Sequence, residues 1–145
     1  MKGDVICLYD ANGLSGEAWA EVGFNVWNYD FLTIWARDVP HGQGCKHFRH
    51  WDARQEAYND HIVEFHKDRA VIVLAYPPCD DLAVSGAAHF WAKERRDPDF
   101  QRKAMRLVHT ARKIAEALNV PYVIENPVSM ISTFWRKPDY IFDPY

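Results

Sequence analysis

Hydrophobic positions fall into short runs and stripes, divided by polar joints that carry Gly and Pro. The run DVICLY at 4–9 mixes β-branched and aromatic residues and predicts a buried strand, which DANGLSG then breaks. Leu14, Ala18 and Val22 recur every four residues and predict a short helix over 14–22, with Gly23 as its stop. FNVWNYD sets Phe24, Val26 and Asn28 against Asn25, Trp27 and Tyr29, the alternation of a second strand. A loop with Pro40, Gly42 and Gly44 follows, then a weaker third strand in CKHFRHW, ending at Asp52. Ala57, Ile62 and Phe65 predict a helix over 54–67. RAVIVLAY at 69–76 is the most apolar run, continuous rather than alternating, as for a strand covered on both faces of a parallel sheet. Residues 98–118 carry the clearest helical stripe (Phe100, Ala104, Leu107, Val108, Ala111, Ile114, Ala115, Leu118), with Pro98 in the first turn and Arg and Lys opposite. PYVIEN predicts a fifth strand, a short helix follows near 128–134, and KPDYIFDPY is extended and irregular.

Alternating strands and helices predict an α/β fold with a mostly parallel sheet, and no repeat or linker divides the 145 residues, so a single domain is expected. With 48% apolar residues, six Trp and a net charge of −3, the chain can bury a core and is not of the disordered class. A strongly basic nucleic-acid footprint is absent; KERRDPDFQRK is a local basic cluster that serves equally as a solvated helix face. Three scattered cysteines, Cys7, Cys45 and Cys79, form no CxxC pair and argue against a disulfide framework or zinc site. No run approaches a membrane span and the N-terminus has no signal-type apolar segment, so a cytoplasmic setting is expected. The histidine pairs His47/His50 and His61/His66 lack metal-site spacing with acids or thiols and read as surface or capping residues; no metal is expected.

In such a sheet, ligands sit beyond the carboxyl ends of the strands. Three chemically unusual segments fall there. Asp10, Asn12, Gly13 and Gly16 follow the first strand, where glycines let backbone approach a ligand or merely make a tight turn. Asp30 ends the second strand, where a carboxylate meets a ribose or stands as a turn residue. Pro77 and Pro78 stiffen the approach to Cys79, which suits a nucleophile held at a fixed angle, although a buried inert thiol is the competing reading. Asp80 and Asp81 would disfavour a thiolate, and a helix start near Ser85 would favour it. Glu125 closes an apolar strand before Asn126 and Pro127, facing a ligand, a partner or a helix end.

Together and in this order these segments resemble the DNA cytosine-5 methyltransferase family. Pro77-Pro78-Cys79 is similar to its nucleophile motif and Glu125-Asn126-Pro127 to its ENV motif. LYDANGLSGEAWAEVGFNVWNYD resembles its S-adenosylmethionine loop, with Asp30 at the place of the ribose-holding acid, and HWDAR puts Asp52 where the family often has an Asp near the adenine. PPCDDLAVSGAAHF is similar to compact bacteriophage versions, and the resemblance covers residues 5–127. It implies a Rossmann-like, doubly wound fold with helices on both faces and central strand order 3-2-1-4-5. It implies catalysis by Cys79 and Glu125, with S-adenosylmethionine as cofactor held by Asp10, Asn12, Gly13, Leu14, Asp30, Phe31, Asp52 and Pro77. Pro78, Ser85, Asn126 and Pro127 would meet the substrate, a cytosine flipped out of DNA. The implied reaction is methyl transfer to C5 through a covalent Cys79 adduct, in a bacterial or phage-infected cytoplasm. The family's later QxR motif, target-recognition domain and C-terminal helix have no counterpart, so the chain is expected to be a fragment or a minimal protein, its reading surface supplied by a partner or oligomer. Two other readings stay open: a catalytically degenerate binding module, and an enzyme that modifies free cytosine nucleotides.

Overall fold

The computed structural model describes residues 2–142, which form two compact units: 2–77 with 107–125, and 78–106 with 126–142. The first unit holds the whole sheet. Its strands are β1 (Asp4–Leu8), β2 (Asn25–Asp30), β3 (Arg37–His41), β4 (Gly44–His50), β5 (Ala70–Ala75) and β6 (Tyr122–Ile124), in the spatial order β3-β4-β2-β1-β5-β6. All neighbours run parallel except β3 with β4. The parallel part keeps the expected order, because β3 is an addition at the edge, and chain direction across the sheet reverses between β1 and β5.

Alternation along the strands explains the continuous apolar runs. Ile6, Leu8, Trp27, Tyr29, Val73 and Ala75 enter one buried cluster, whereas Val5, Cys7, Val26 and Leu74 enter another on the opposite side. The first cluster is roofed by α2 (Glu56–His66) through Ile62 and by α4 (Phe100–Leu118) through Ala111, Ile114, Ala115 and Leu118. The second is covered by α1 (Glu17–Glu21) through Ala20. Helices therefore lie on both faces, as a doubly wound sheet requires. The whole predicted stripe of α4 is turned inward; Val108 and Ala115 are fully buried.

The structure departs from the sequence reading at exposed, locally bonded segments. The expected loop around Pro40 contains β3, which pairs antiparallel with β4 across a turn at Gly42, φ +57°. Pro40 is tolerated because β3 is an edge strand. The first helix is shorter than 14–22, and α4 begins at Phe100, so Pro98 precedes it. The second unit adds a 3-10 segment, Val84–His89, at the helix start expected near Ser85, then α3 (Phe90–Arg96), not predicted from the apolar pattern, and α5 (Ile131–Phe134). Phe90 meets Phe100 at 5.7 Å between ring centres. Of the expected irregular tail, residues 143–145 lie outside the described residues. No helix among the described residues is long and apolar enough to cross a membrane.

Candidate functional site

The loop after β1 is built by its own side chains. Tyr9 adopts φ +62°, a costly backbone conformation for a bulky residue, and is held there by a 2.7 Å bond from its hydroxyl to the Leu107 carbonyl and by contact with Trp51, 4.8 Å between centroids. Asp10 is buried and spends both carboxylate oxygens within the loop: Oδ1 accepts the Gly13 N–H at 2.9 Å and Oδ2 accepts the Ser15 hydroxyl. Asn12 Oδ1 accepts the Leu14 N–H at 2.9 Å, leaving Leu14 exposed. Gly13 has φ +70°, and a Cβ there would lie 2.7 Å from Phe48 ring carbons. A Cβ on Gly16 would meet Val26. The glycines thus serve close packing of the loop on β2 and β4, in line with the tight-turn alternative of the sequence reading.

The strand ends around this loop are acidic. Asp30 closes β2; its Oδ1 accepts the Leu32 N–H at 2.7 Å and its carbonyl receives Thr33 and Trp51 N–H groups at 3.2 Å each. Its second carboxylate oxygen takes no hydrogen bond among the described residues, and the neighbouring Phe31 ring is 57% exposed. Asp52 follows β4 and is fully engaged: Arg54 binds both oxygens, at 2.7 and 2.9 Å, and Gln55 Nε2 adds a 3.2 Å bond. The Arg54 guanidinium holds the Asp52 carboxyl well below the usual carboxylate range. Glu125 stands one residue beyond β6, its N–H bonded to the Ala75 carbonyl at 3.0 Å. Burial raises the Tyr76 phenol, and the charges of Asp10 and Glu125 act on it in the same direction, so loop and strand-end carboxylates share one electrostatic neighbourhood. Pro77, buried, ends this unit's stretch after β5.

In the second unit, Pro78 is exposed and Cys79 half-buried. The Cys79 carbonyl accepts the Leu82 and Ala83 N–H groups at 2.9 and 2.7 Å, which turns the chain immediately after the thiol. Asp81 is neutralised by Lys93 at 2.7 Å, whose ammonium also binds the Asp80 carbonyl at 2.7 Å. The acids after Cys79 therefore leave one carboxylate, exposed Asp80, without a countercharge among the described residues. Ser85 is exposed at the start of the 3-10 segment. The stretch after Asn126 and Pro127 runs antiparallel beside the stretch after Cys79: Val84 N–H meets the Val128 carbonyl, Met130 N–H meets the Leu82 carbonyl, each at 2.9 Å, and Ala83 bridges Ser129.

The three thiols differ. Cys7 is fully buried, and desolvation pushes it up to about 12, which makes it inert. Burial also raises Cys45. Only Cys79 sits at the exit of a parallel strand in a motif segment. The residues fit a ribose-bearing cofactor at Asp30 and Phe31, where an acceptor oxygen is open beside an exposed ring; they do not fit one at Asp52, whose acceptors are spent on Arg54 and Gln55. Sequence reasoning missed Tyr9, Ser15, Arg54 and Lys93. Only the Asp52–Arg54 pair, two residues apart, left a local trace. His66 corrects the surface reading of the histidines, being fully buried. No protein-family model matches the chain, and no curated protein matches it.

Proposed function

We propose that the chain is an S-adenosylmethionine-dependent methyltransferase acting on C5 of cytosine in DNA, with Cys79 as nucleophile and Glu125 as the group that holds the base. One observation carries this reading: the segment opened by Pro78-Cys79 and the segment opened by Asn126-Pro127 are hydrogen-bonded side by side, following neighbouring parallel strands of a sheet whose direction reverses next to β5. The open carboxylate oxygen of Asp30 supports the cofactor part.

In this mechanism the Cys79 thiolate forms a bond to C6, and the C5–C6 double-bond electrons move onto C5 and the ring. Glu125 contacts N3 and the exocyclic amine, stabilising the charge that develops on the ring. The bound cofactor supplies the methyl group taken up at C5. Loss of the C5 proton to a base then restores the double bond as the thiolate leaves. Asp30 and Phe31 would hold the cofactor, the carboxylate accepting from ribose hydroxyls. The base must leave the duplex to reach the thiol.

A duplex oligonucleotide carrying 5-fluorocytosine, incubated with S-adenosylmethionine, tests this. The fluorine cannot leave as a proton does, so the wild type should give a covalent adduct on a denaturing gel and Cys79→Ser none. Absence of adduct in the wild type, under conditions where cofactor binding is measurable, defeats the reading. A free cytosine nucleotide as substrate is the second reading, favoured by the ion pairing of the basic cluster described below; an adduct with the fluorinated mononucleotide but not with DNA selects it.

A further inference from the structure

The link between β2 and β3, residues 31–36, reads FLTIWA, and its patterning is inverted. Its one polar side chain, Thr33, is 3% exposed, its hydroxyl buried and without a hydrogen-bond partner among the described residues. Leu32, Ile34 and Trp35 face outward, 73%, 78% and 79% exposed. The backbone holds them there. Asp30 Oδ1 accepts the Leu32 N–H at 2.7 Å, the Asp30 carbonyl accepts the Thr33 N–H at 3.2 Å, and the Thr33 carbonyl lies 3.2 Å from His50 Nδ1. The loop is anchored at both Asp30 and Thr33, and the core of its own fold makes no use of its three large apolar side chains.

Area and charge together select what covers this patch. The three side chains expose about 450 Å², and with the exposed residues Ala36, Arg37, Asp38 and Val39 that follow, one copy offers close to the ~800 Å² per partner of a standard interface. Phe31, assigned to the cofactor, is not counted. Of the flanking cations, Arg49 pairs with Asp38 at 2.8 Å and Arg54 with Asp52 at 2.7 Å, while Arg37 lies 3.8 Å over the Phe48 ring. Charge balanced in this way exerts little pull on a phosphate-rich surface, whether membrane or nucleic acid. It also sets up no repulsion between two copies, and an apolar patch is complementary to itself across a twofold axis.

We propose that this loop is the centre of a twofold homodimer interface, in which Leu32, Ile34 and Trp35 of one copy pack on the same residues of a second copy. The contact does not depend on methyl transfer. Sedimentation equilibrium of the full chain without cofactor tests it. The mean mass should rise from that of the monomer toward twice that value between about 1 and 100 μM. Ile34→Ser with Trp35→Ser removes only exposed side chains, so far-UV circular dichroism should be unchanged while dimerisation weakens at least about tenfold. Trp35→Glu alone sets two carboxylates against each other across the axis and should weaken it in the same way. Trp91→Ser, which removes a ring 67% exposed in the other unit, should leave dimerisation unchanged. Undiminished dimerisation in both loop variants overturns the proposal, as does equal loss in Trp91→Ser. A wild type still monomeric at about 100 μM also overturns it, and its sedimentation with phosphatidylcholine vesicles would then assign the loop to a membrane surface.

Discussion

Asp4, His66 and Tyr29 form a chain of buried polar groups at the N-terminal side of the sheet. His66 Nδ1 is 2.7 Å from Asp4 Oδ2 and its Nε2 is 2.9 Å from the Tyr29 hydroxyl, with Arg69 at 3.4 Å from the same carboxylate. The carboxylate fixes the Nδ1–H tautomer, so Tyr29 donates to Nε2. Burial lowers His66 below its ordinary 6.5, more than Asp4 raises it. For Asp4, burial pushes upward, but His66 and Arg69 outweigh it and the carboxyl lies below its ordinary 3.8. Both groups bind protons more weakly folded than unfolded, so both contribute stability that is present above the unfolded value and lost as pH falls through the folded one. Thermal melts should therefore show the midpoint falling as pH drops below about 6.5, and falling again below about 4. His66→Gln should cost about 1–3 kcal/mol at pH 7 and reduce the slope between pH 7 and 5; His109, also lowered by burial, retains a part. An unchanged slope in the variant would show that His66 is not the titrating group.

The β1–α1 loop shows how an element can be legible in outline and hidden in detail. Its place, after a buried strand and before a helix, follows from local patterning, as do β1, β2, β5 and α4, because burial on one face or two leaves a periodic mark over a few residues. What the loop's glycines are for does not follow, because Phe48 stands thirty-five residues away and reaches Gly13 only through the β2–β4 pairing. For the same reason β3 was invisible: Arg37–His41 is almost wholly exposed and exists by pairing with β4. Asp30, Cys79 and Glu125 could be picked out at strand ends, but the partners that commit Asp10 and Asp52 could not. Gly13→Ala combines a strained φ of +70° with contact on Phe48, so it should lower stability by about 1–3 kcal/mol in denaturant unfolding. Gly86→Ala, with nothing nearer than 3.5 Å to its Cβ, should stay within about 0.5 kcal/mol of wild type. Equal effects at the two positions would mean that the loop is not clamped on β4.

At the scale of the whole molecule the question is how strongly a chain of net charge −3 can hold DNA. Sequence places a local basic cluster at 93–103, continued by Arg106 in α4, but the fold spends much of that charge internally. Lys93 pairs with Asp81 at 2.7 Å, Arg102 with Asp99 at 2.6 Å and Lys103 with Asp97 at 2.5 Å. These are exposed or half-exposed pairs that add little to stability, so their main effect is on the field, not on the fold. Arg95, Arg96 and Arg106 remain outside ion pairs among the described residues of this cluster, Arg95 lying 4.8 Å above the Trp91 ring. Counterion release scales with the phosphates neutralised, roughly −0.9 in log–log slope for each on duplex DNA. Three available arginines then give a slope of about −3 when the affinity for a duplex is followed by fluorescence anisotropy against salt. Arg95→Gln with Arg96→Gln should reduce it to about −1. A wild-type slope near −6 would mean that the surface pairs open on binding and that the cluster grips the backbone with its full charge.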